Sequence, residues 1–192
     1  VVATTGILVT VTPVCSVADY RQLQFNMLGN ALASLSLPSV IVLVEGVSDA
    51  VFLTKLVQIY VPQRRVSVVR AEGEGEVLKK LNYFSEVFGD LATSSYRDRL
   101  FVLLDKQISV RVSRIEDQGV PKSNITILPR NGIEYYYPPE LVAQVFRCTA
   151  DEVKSWKFEA DPMKFNGISK SKKDLAYSVA ALLTIDTPLS DE

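Results

Sequence analysis

Apolar positions along this chain fall into short unbroken runs and longer stretches with helical spacing, and the two kinds alternate. The clearest unit is Val40–Leu53, V-I-V-L-V-E-G-V-S-D-A-V-F-L. Its first five residues are apolar and four of them are β-branched, a pattern that fits a strand buried on both faces, as in a parallel sheet. Apolar side chains then recur through Val51, Phe52, Leu53, Leu56, Val57 and Tyr60, so the spacing predicts a helix directly after the strand. Glu45 ends the strand, Gly46 lets the backbone turn, and Asp49 falls in the first turn of the helix. In an open α/β sheet, that edge is where ligands bind. An acid in a first helical turn also has an ordinary explanation, because it complements the macrodipole and caps free N–H groups. That accounts for Asp49, and less well for a glutamate closing a fully apolar strand.

The alternation continues downstream. Arg64–Arg70 reads as a short Val-rich strand, and glycines 73 and 75 open a helix whose apolar face holds Val77, Leu78, Leu81, Phe84, Val87 and Phe88. That turn is not a phosphate loop: it has no G-K-[ST] and no third glycine at dinucleotide spacing, and Glu72, Glu74 and Glu76 would repel a phosphate. Arg99–Asp105, R-L-F-V-L-L-D, is a second apolar strand closed by a carboxylate. An amphipathic helix over Val110–Gln118 and a strand over Asn124–Leu128 follow. Strands joined through helices in this order run parallel, so Glu45 and Asp105 are expected side by side at one edge.

The flanks are read more briefly. Residues 1–14 fit one or two strands ended by Pro13, and Ser16 can cap a helix over Val17–Leu35. Pro139 suits the first turn of a helix Glu140–Phe146, and Thr149 with Glu152 forms a capping box. Residues 157–169 read as loop, and Lys170–Thr184 as a final helix with Leu175, Val179, Leu182 and Leu183 inward. The expected organisation is a lead-in over 1–38, an α/β core over 39–130 with a parallel sheet of about four strands, and a helical extension over 131–192 that completes the site.

Composition narrows the chemistry. A hydrophobic content of 47% supports a real core, and no apolar run reaches the roughly 18 residues needed to cross a bilayer. Cys15 and Cys148 are the only cysteines and lie far apart, which favours a reduced, cytoplasmic setting over a disulfide framework. There is no histidine, which excludes Ser-His and Cys-His nucleophilic chemistry and any histidine-based metal site within this chain. The net charge of −1 gives no bulk signal for nucleic acid.

What remains is carboxylate chemistry. Two unit charges at ~4 Å repel by about 4 kcal/mol at an effective dielectric of 20, so Glu45, Asp49 and Asp105 share one edge cheaply only if some protonate or a cation neutralises them. Oxygen ligands without histidine or cysteine point to Mg²⁺ or Mn²⁺, one ion or two. Such ions serve phosphoryl chemistry.

A strand followed by E-G-x-x-D and a helix, then a strand ending in Asp, resembles the TOPRIM domain of topoisomerases, DnaG-type primases and several nucleases. The match spans residues 39–130. E-G-x-S-D-A-x-F-L at Glu45–Leu53, L-P-R-N-G-I-E-Y-Y-Y-P at Leu128–Pro138 and S-K-K-D-L-A at Ser171–Ala176 are similar to one branch, the OLD (overcoming lysogenisation defect) family of ATP-dependent nucleases. That resemblance implies a TOPRIM (Rossmann-like) fold and metal-dependent cleavage of DNA in defence against phage. It also implies an ABC-type ATPase module upstream, with a homo-oligomer formed through it. A chain that starts without Met and in mid-strand is expected to be a piece of such a longer protein. Glu45, Asp49 and Asp105 take the family's acidic positions as catalytic and metal-binding residues, and Lys172 takes the lysine that stabilises charge at the phosphate. Glu134 is left between metal ligand and structural anchor. Lys106, Lys170 and Lys173 are candidate substrate contacts, with a solvated helix start as the ordinary reading of the last two. Tyr135, Tyr136 and Tyr137 suit packing better than base stacking.

One departure limits the resemblance. TOPRIM domains usually carry D-x-D at the third strand, where this chain reads Asp105-Lys106-Gln107. Gln107 is a poorer ligand for a hard cation. Two-metal chemistry is then weakened, or a second ligand comes from Glu134 or Glu116, or the domain is degenerate and serves binding or assembly.

Overall fold

The computed structural model describes residues 2–5, 8–11, 38–73, 75–106 and 109–189. The helix expected over Val17–Leu35 and the Gln107 position lie outside the described residues. Strands β1 (Val2–Thr5) and β2 (Leu8–Val11) pair antiparallel, where one or two strands were expected.

The core is a four-stranded sheet in which β3 (Val40–Val44) and β5 (Leu100–Leu104) lie inside, between β4 (Val66–Arg70) and β6 (Ile125–Ile127). All three pairings are parallel. Helices α1 (Val47–Tyr60), α2 (Glu76–Phe88) and α3 (Ser109–Asp117) make the crossovers. The connection from β3 leads to one edge of the sheet and that from β5 to the other, so the chain reverses direction between these two strands. A crevice at the carboxyl ends is expected at such a switch point. Glu45 and Asp105 follow those two strands directly.

Both sheet faces are covered, which is why the inner strands read as continuous apolar runs. On one face Ile41, Leu43, Val102 and Leu104 pack with Val77, Leu81 and Phe84 of α2 and Ile115 of α3. Leu43 is fully buried, worth about 1.5–3 kcal/mol relative to exposure. The opposite face is covered by α1 and by elements after residue 130. Phe52 of α1 shares one cluster with Leu141, Val142 and Phe146 of α4 (Pro139–Phe146), Val153 of α5 (Ala150–Lys154) and Leu175 and Val179 of α6 (Lys172–Leu182). The C-terminal segment therefore shares its core with the helix that follows β3.

Local sequence explains most boundaries. Pro139 opens α4, where its missing N–H would have had no partner in any case. The Thr149–Glu152 box caps α5 as expected: the Glu152 N–H donates to Thr149 Oγ1 at 3.3 Å, and the Thr149 N–H donates to Glu152 Oε2 at 2.8 Å. The segment 157–169 differs from the expected loop. It holds an antiparallel hairpin of β7 (Met163–Phe165) and β8 (Ile168–Lys170). The connecting Asn166 and Gly167 both have positive φ, as a two-residue hairpin turn requires. Lys170 thus ends a strand, and the helix begins at Lys172 with Ser171 as its cap.

Candidate metal centre

The site is built from four segments. Glu45 ends β3, Asp49 lies one turn into α1, Asp105 ends β5, and Glu134 sits in a 3₁₀ turn (Ile133–Tyr136). Glu45, Asp49 and Glu134 are buried, Glu134 to 2% exposure, and Asp105 is half-buried. Lys172, first residue of α6, brings its Nζ 3.5 Å from Glu134 Oε2. A carboxylate this deeply buried requires a charged or hydrogen-bonded partner, and Lys172 provides it.

Asp49 has a double character. The Gly46 N–H donates to its Oδ2 at 2.7 Å, the ordinary capping contact of a first-turn acid. Gly46 has φ −109° and ψ 170°, a conformation open to any residue, so the turn does not require glycine. Its role is steric: a Cβ there would meet Asp49 Oδ2 at 3.0 Å. Capping does not exhaust Asp49. Its pKa is raised to about 6, chiefly by burial and then by the charges of Asp105 and Glu134, against the pull of the Gly46 bond and of Lys172. Asp105 is raised chiefly by burial and then by Glu134, and is lowered by Lys172 and by a hydrogen bond from the Gly132 N–H. Asp49, Asp105, Glu134 and Lys172 therefore act on one another as one electrostatic unit.

Two residues here, Gly132 and Arg111, escaped the sequence reading, and Tyr137 was read only as packing. Gly132 has φ +117°, and a Cβ on it would collide with Glu134 Oε2 and lie 3.6 Å from Lys172 Nζ. Only glycine leaves room for the Glu134 carboxylate and Lys172 in this left-handed backbone. The Asn131-Gly132 pair before Ile133-Glu134 was the available signal. Arg111, in the first turn of α3, places Nη1 3.4 Å from Glu45 Oε1. An arginine in a first turn opposes the helix macrodipole, and that was its signal. Tyr137 packs its ring on Phe52 at 4.6 Å, as the packing reading held, but its buried hydroxyl has no hydrogen-bond partner among the described residues. Burial, with Glu134 and Asp49 nearby, holds that phenol well above the usual tyrosine range, opposed by the neighbouring Ser48.

The other candidates divide. Lys106 is exposed beside Asp105. Lys170 points its Nζ to Ser178 Oγ at 3.3 Å, and Lys173 is exposed; neither is brought to the acids. Glu116 is half-buried on α3 and has no part in the shifts of Asp49 or Asp105. Tyr135 packs edge-on against Phe158 at 5.2 Å, and Arg130 lies over its ring at 5.3 Å.

The fit of this centre to a divalent ion rests on its donors. Mutually repelling carboxylates of raised pKa and an unpartnered buried hydroxyl form an all-oxygen set, the kind Mg²⁺ and Mn²⁺ take. Among the described residues no three acids are drawn close enough to enclose one ion.

Comparison with solved structures places the architecture. The C-terminal region of the Burkholderia pseudomallei OLD protein superimposes with a TM-score of 0.50 at 13% identity, over 80% of this chain and 92% of that one. The fold is that of the OLD C-terminal region. The corresponding region of the Xanthomonas campestris pv. campestris OLD protein aligns with a TM-score of 0.49 at 11% identity, over 79% and 86% of the two chains. No family model and no curated protein matches the chain. The parallel α/β TOPRIM-like architecture expected from the sequence is thus the one observed. Among the described residues no helix is long and apolar enough to cross a membrane.

Proposed function

We propose that this chain is the metal-dependent DNA endonuclease domain of an OLD-like, ATPase-coupled protein serving phage defence in the cytoplasm. The observation that carries the reading is the convergence of Asp49, in the first turn of the helix after β3, and Asp105, at the end of β5, with Glu134 and Lys172 in one electrostatic set. A bound Mg²⁺ or Mn²⁺ supplies the positive charge that phosphodiester cleavage demands. Asp49 and Asp105 would hold it. Glu45, held by Arg111 at 3.4 Å, would accept the proton of the attacking water. Lys172, anchored by Glu134, would steady negative charge building on the phosphate. Lys106, exposed beside Asp105, would meet the DNA backbone. The upstream ATPase module and the homo-oligomer it forms belong to the same proposal.

Nicking of supercoiled plasmid in Mg²⁺ or Mn²⁺ tests the reading. The wild-type chain is expected to nick, and Glu45→Gln, Asp49→Asn and Lys172→Met are each expected to lose about 10²-fold or more in rate. A second reading, a degenerate TOPRIM used for binding or assembly, is favoured by Lys106-Gln107 in place of a second strand-end acid. Equal background from wild type and Glu45→Gln, with DNA still bound, would select it.

A further inference from the structure

Between the end of α5 and the β7–β8 hairpin lies a cavity of about 390 Å³, a volume in the range of small-molecule sites. Trp156, Met163 and Phe165 line it together with Ser155, Lys157 and Lys164. Met163 is buried, Trp156 and Phe165 are half-buried, and both lysines are exposed. The two rings lie 4.5 Å apart between centroids at 48°. Trp156 is backed by the core, edge-on to Phe146 at 5.3 Å and 6.3 Å from Phe158. The core thus fixes the indole while part of its surface stays open to the cavity. Charge then selects the occupant. Lys154, on α5, is engaged by Asp151 at 2.8 Å, but Lys157 and Lys164 have no ion pair among the described residues. No carboxylate lines the cavity. Glu159 and Asp161 belong to the same stretch but lie off its wall, and Asp161 accepts the Lys172 N–H at 3.1 Å. That contact ties the cavity to the candidate centre, because Ala160, beside Asp161, is in the cavity wall and Lys172 is the partner of Glu134.

Open ring surface beside two uncompensated ammonium groups suits a ligand that is aromatic and anionic at once. A nucleotide is both, with a base that stacks on aromatic side chains and a phosphate that lysines contact. Resting on the nuclease reading above, we propose that this cavity takes an unstacked base of single-stranded DNA. The base lies against Trp156 and Phe165, and the adjoining phosphates meet Lys157 and Lys164. A base inside a duplex already has neighbours on both faces, so a single strand is preferred to an intact duplex.

Trp156 is the only tryptophan, so quenching of its emission reads this surface without metal or cleavage. In chelator, an oligothymidylate is expected to quench it saturably and a duplex of the same length to quench it less. Inorganic tripolyphosphate, which has the charge without the bases, is expected to leave it unchanged. Phe165→Ala is expected to bind the oligothymidylate about fivefold to a hundredfold more weakly. Lys157→Ala combined with Lys164→Ala is expected to lower the slope of log K against log salt by about 1.4, for two lost phosphate contacts. No quenching by oligothymidylate at low salt, equal quenching by duplex or tripolyphosphate, or an unchanged salt slope in the double-lysine variant overturns the site. None of these touches the nuclease reading, which the plasmid assay judges by itself. Quenching with the expected dependences in a chain that nicks no plasmid supports the site and counts against that reading. Should Phe165→Ala fail to fold, the lysine pair decides.

Discussion

At the residue scale, the acids are held where they destabilise the fold. Asp49 has a native pKa of about 6 against an ordinary 3.8. A carboxyl with a raised native pKa binds its proton more tightly folded than unfolded. Its effect on stability is therefore neutral below about pH 4, grows unfavourable between about 4 and 6, and stays unfavourable above. Asp49→Asn in chelator is accordingly expected to be more stable than wild type by about 2 kcal/mol at pH 7.5, with the difference gone near pH 3.5, as read by urea melts. Gly132→Ala has the opposite sign. Its Cβ would collide with Glu134 Oε2 in a left-handed backbone, and about 2–4 kcal/mol of stability should be lost by the same measurement. The candidate acids Glu45 and Asp105 were legible in the sequence because strand-end carboxylates after apolar runs stand out. Gly132 and Arg111 were not, because their partners lie at Glu134, Lys172 and Glu45, and spacing along the chain does not encode a contact across it.

At the element scale, the start of α6 is the point to probe. A helix beginning Lys172-Lys173 opposes its own dipole. The opposition is offset by Ser171, whose Oγ accepts the Asp174 N–H at 3.0 Å, by Asp161, whose Oδ1 accepts the Lys172 N–H at 3.1 Å, and by Asp174 in the first turn. Ser171→Ala should cost about 1 kcal/mol in a thermal or urea melt. It should also slow nicking, because the cap sets where Lys172 begins. Helix and strand order through residues 40–128 followed from periodicity alone, with boundaries shifting by one or two residues. The hairpin Met163–Lys170 did not, although Asn166-Gly167 is a strong turn signal. Its strands are three residues each, too short for alternation to show against the surrounding polar sequence.

At the scale of the whole molecule, the sheet joins two cores. The face behind α1 continues into α4, α5 and α6 through Phe52, Phe146 and Leu175, so the segment after residue 130 has no separate interior. Trp156 is the chain's only tryptophan and packs edge-on against Phe146 at 5.3 Å. Its fluorescence reports this face, while far-UV dichroism reports the whole. The two unfolding transitions should coincide, and separated midpoints would mean that the extension unfolds by itself. Metal linkage acts at the same scale. Mn²⁺ should raise the melting temperature at pH 8 by several degrees more than at pH 5, where protons compete for Asp49 and Asp105.

The placement of Lys172 also has a consequence in time. During synthesis Glu45, Asp49 and Asp105 leave the ribosome well before the lysine that offsets their charge, which lies 67 residues beyond Asp105. A nascent chain can pair β3 with β5 while α6 is still unmade, and it then carries the acids without Lys172 or the wall formed by α6. Under the nuclease reading proposed above, a copy without this late helix would lack the lysine that steadies the phosphate, and half-finished chains would be silent toward DNA.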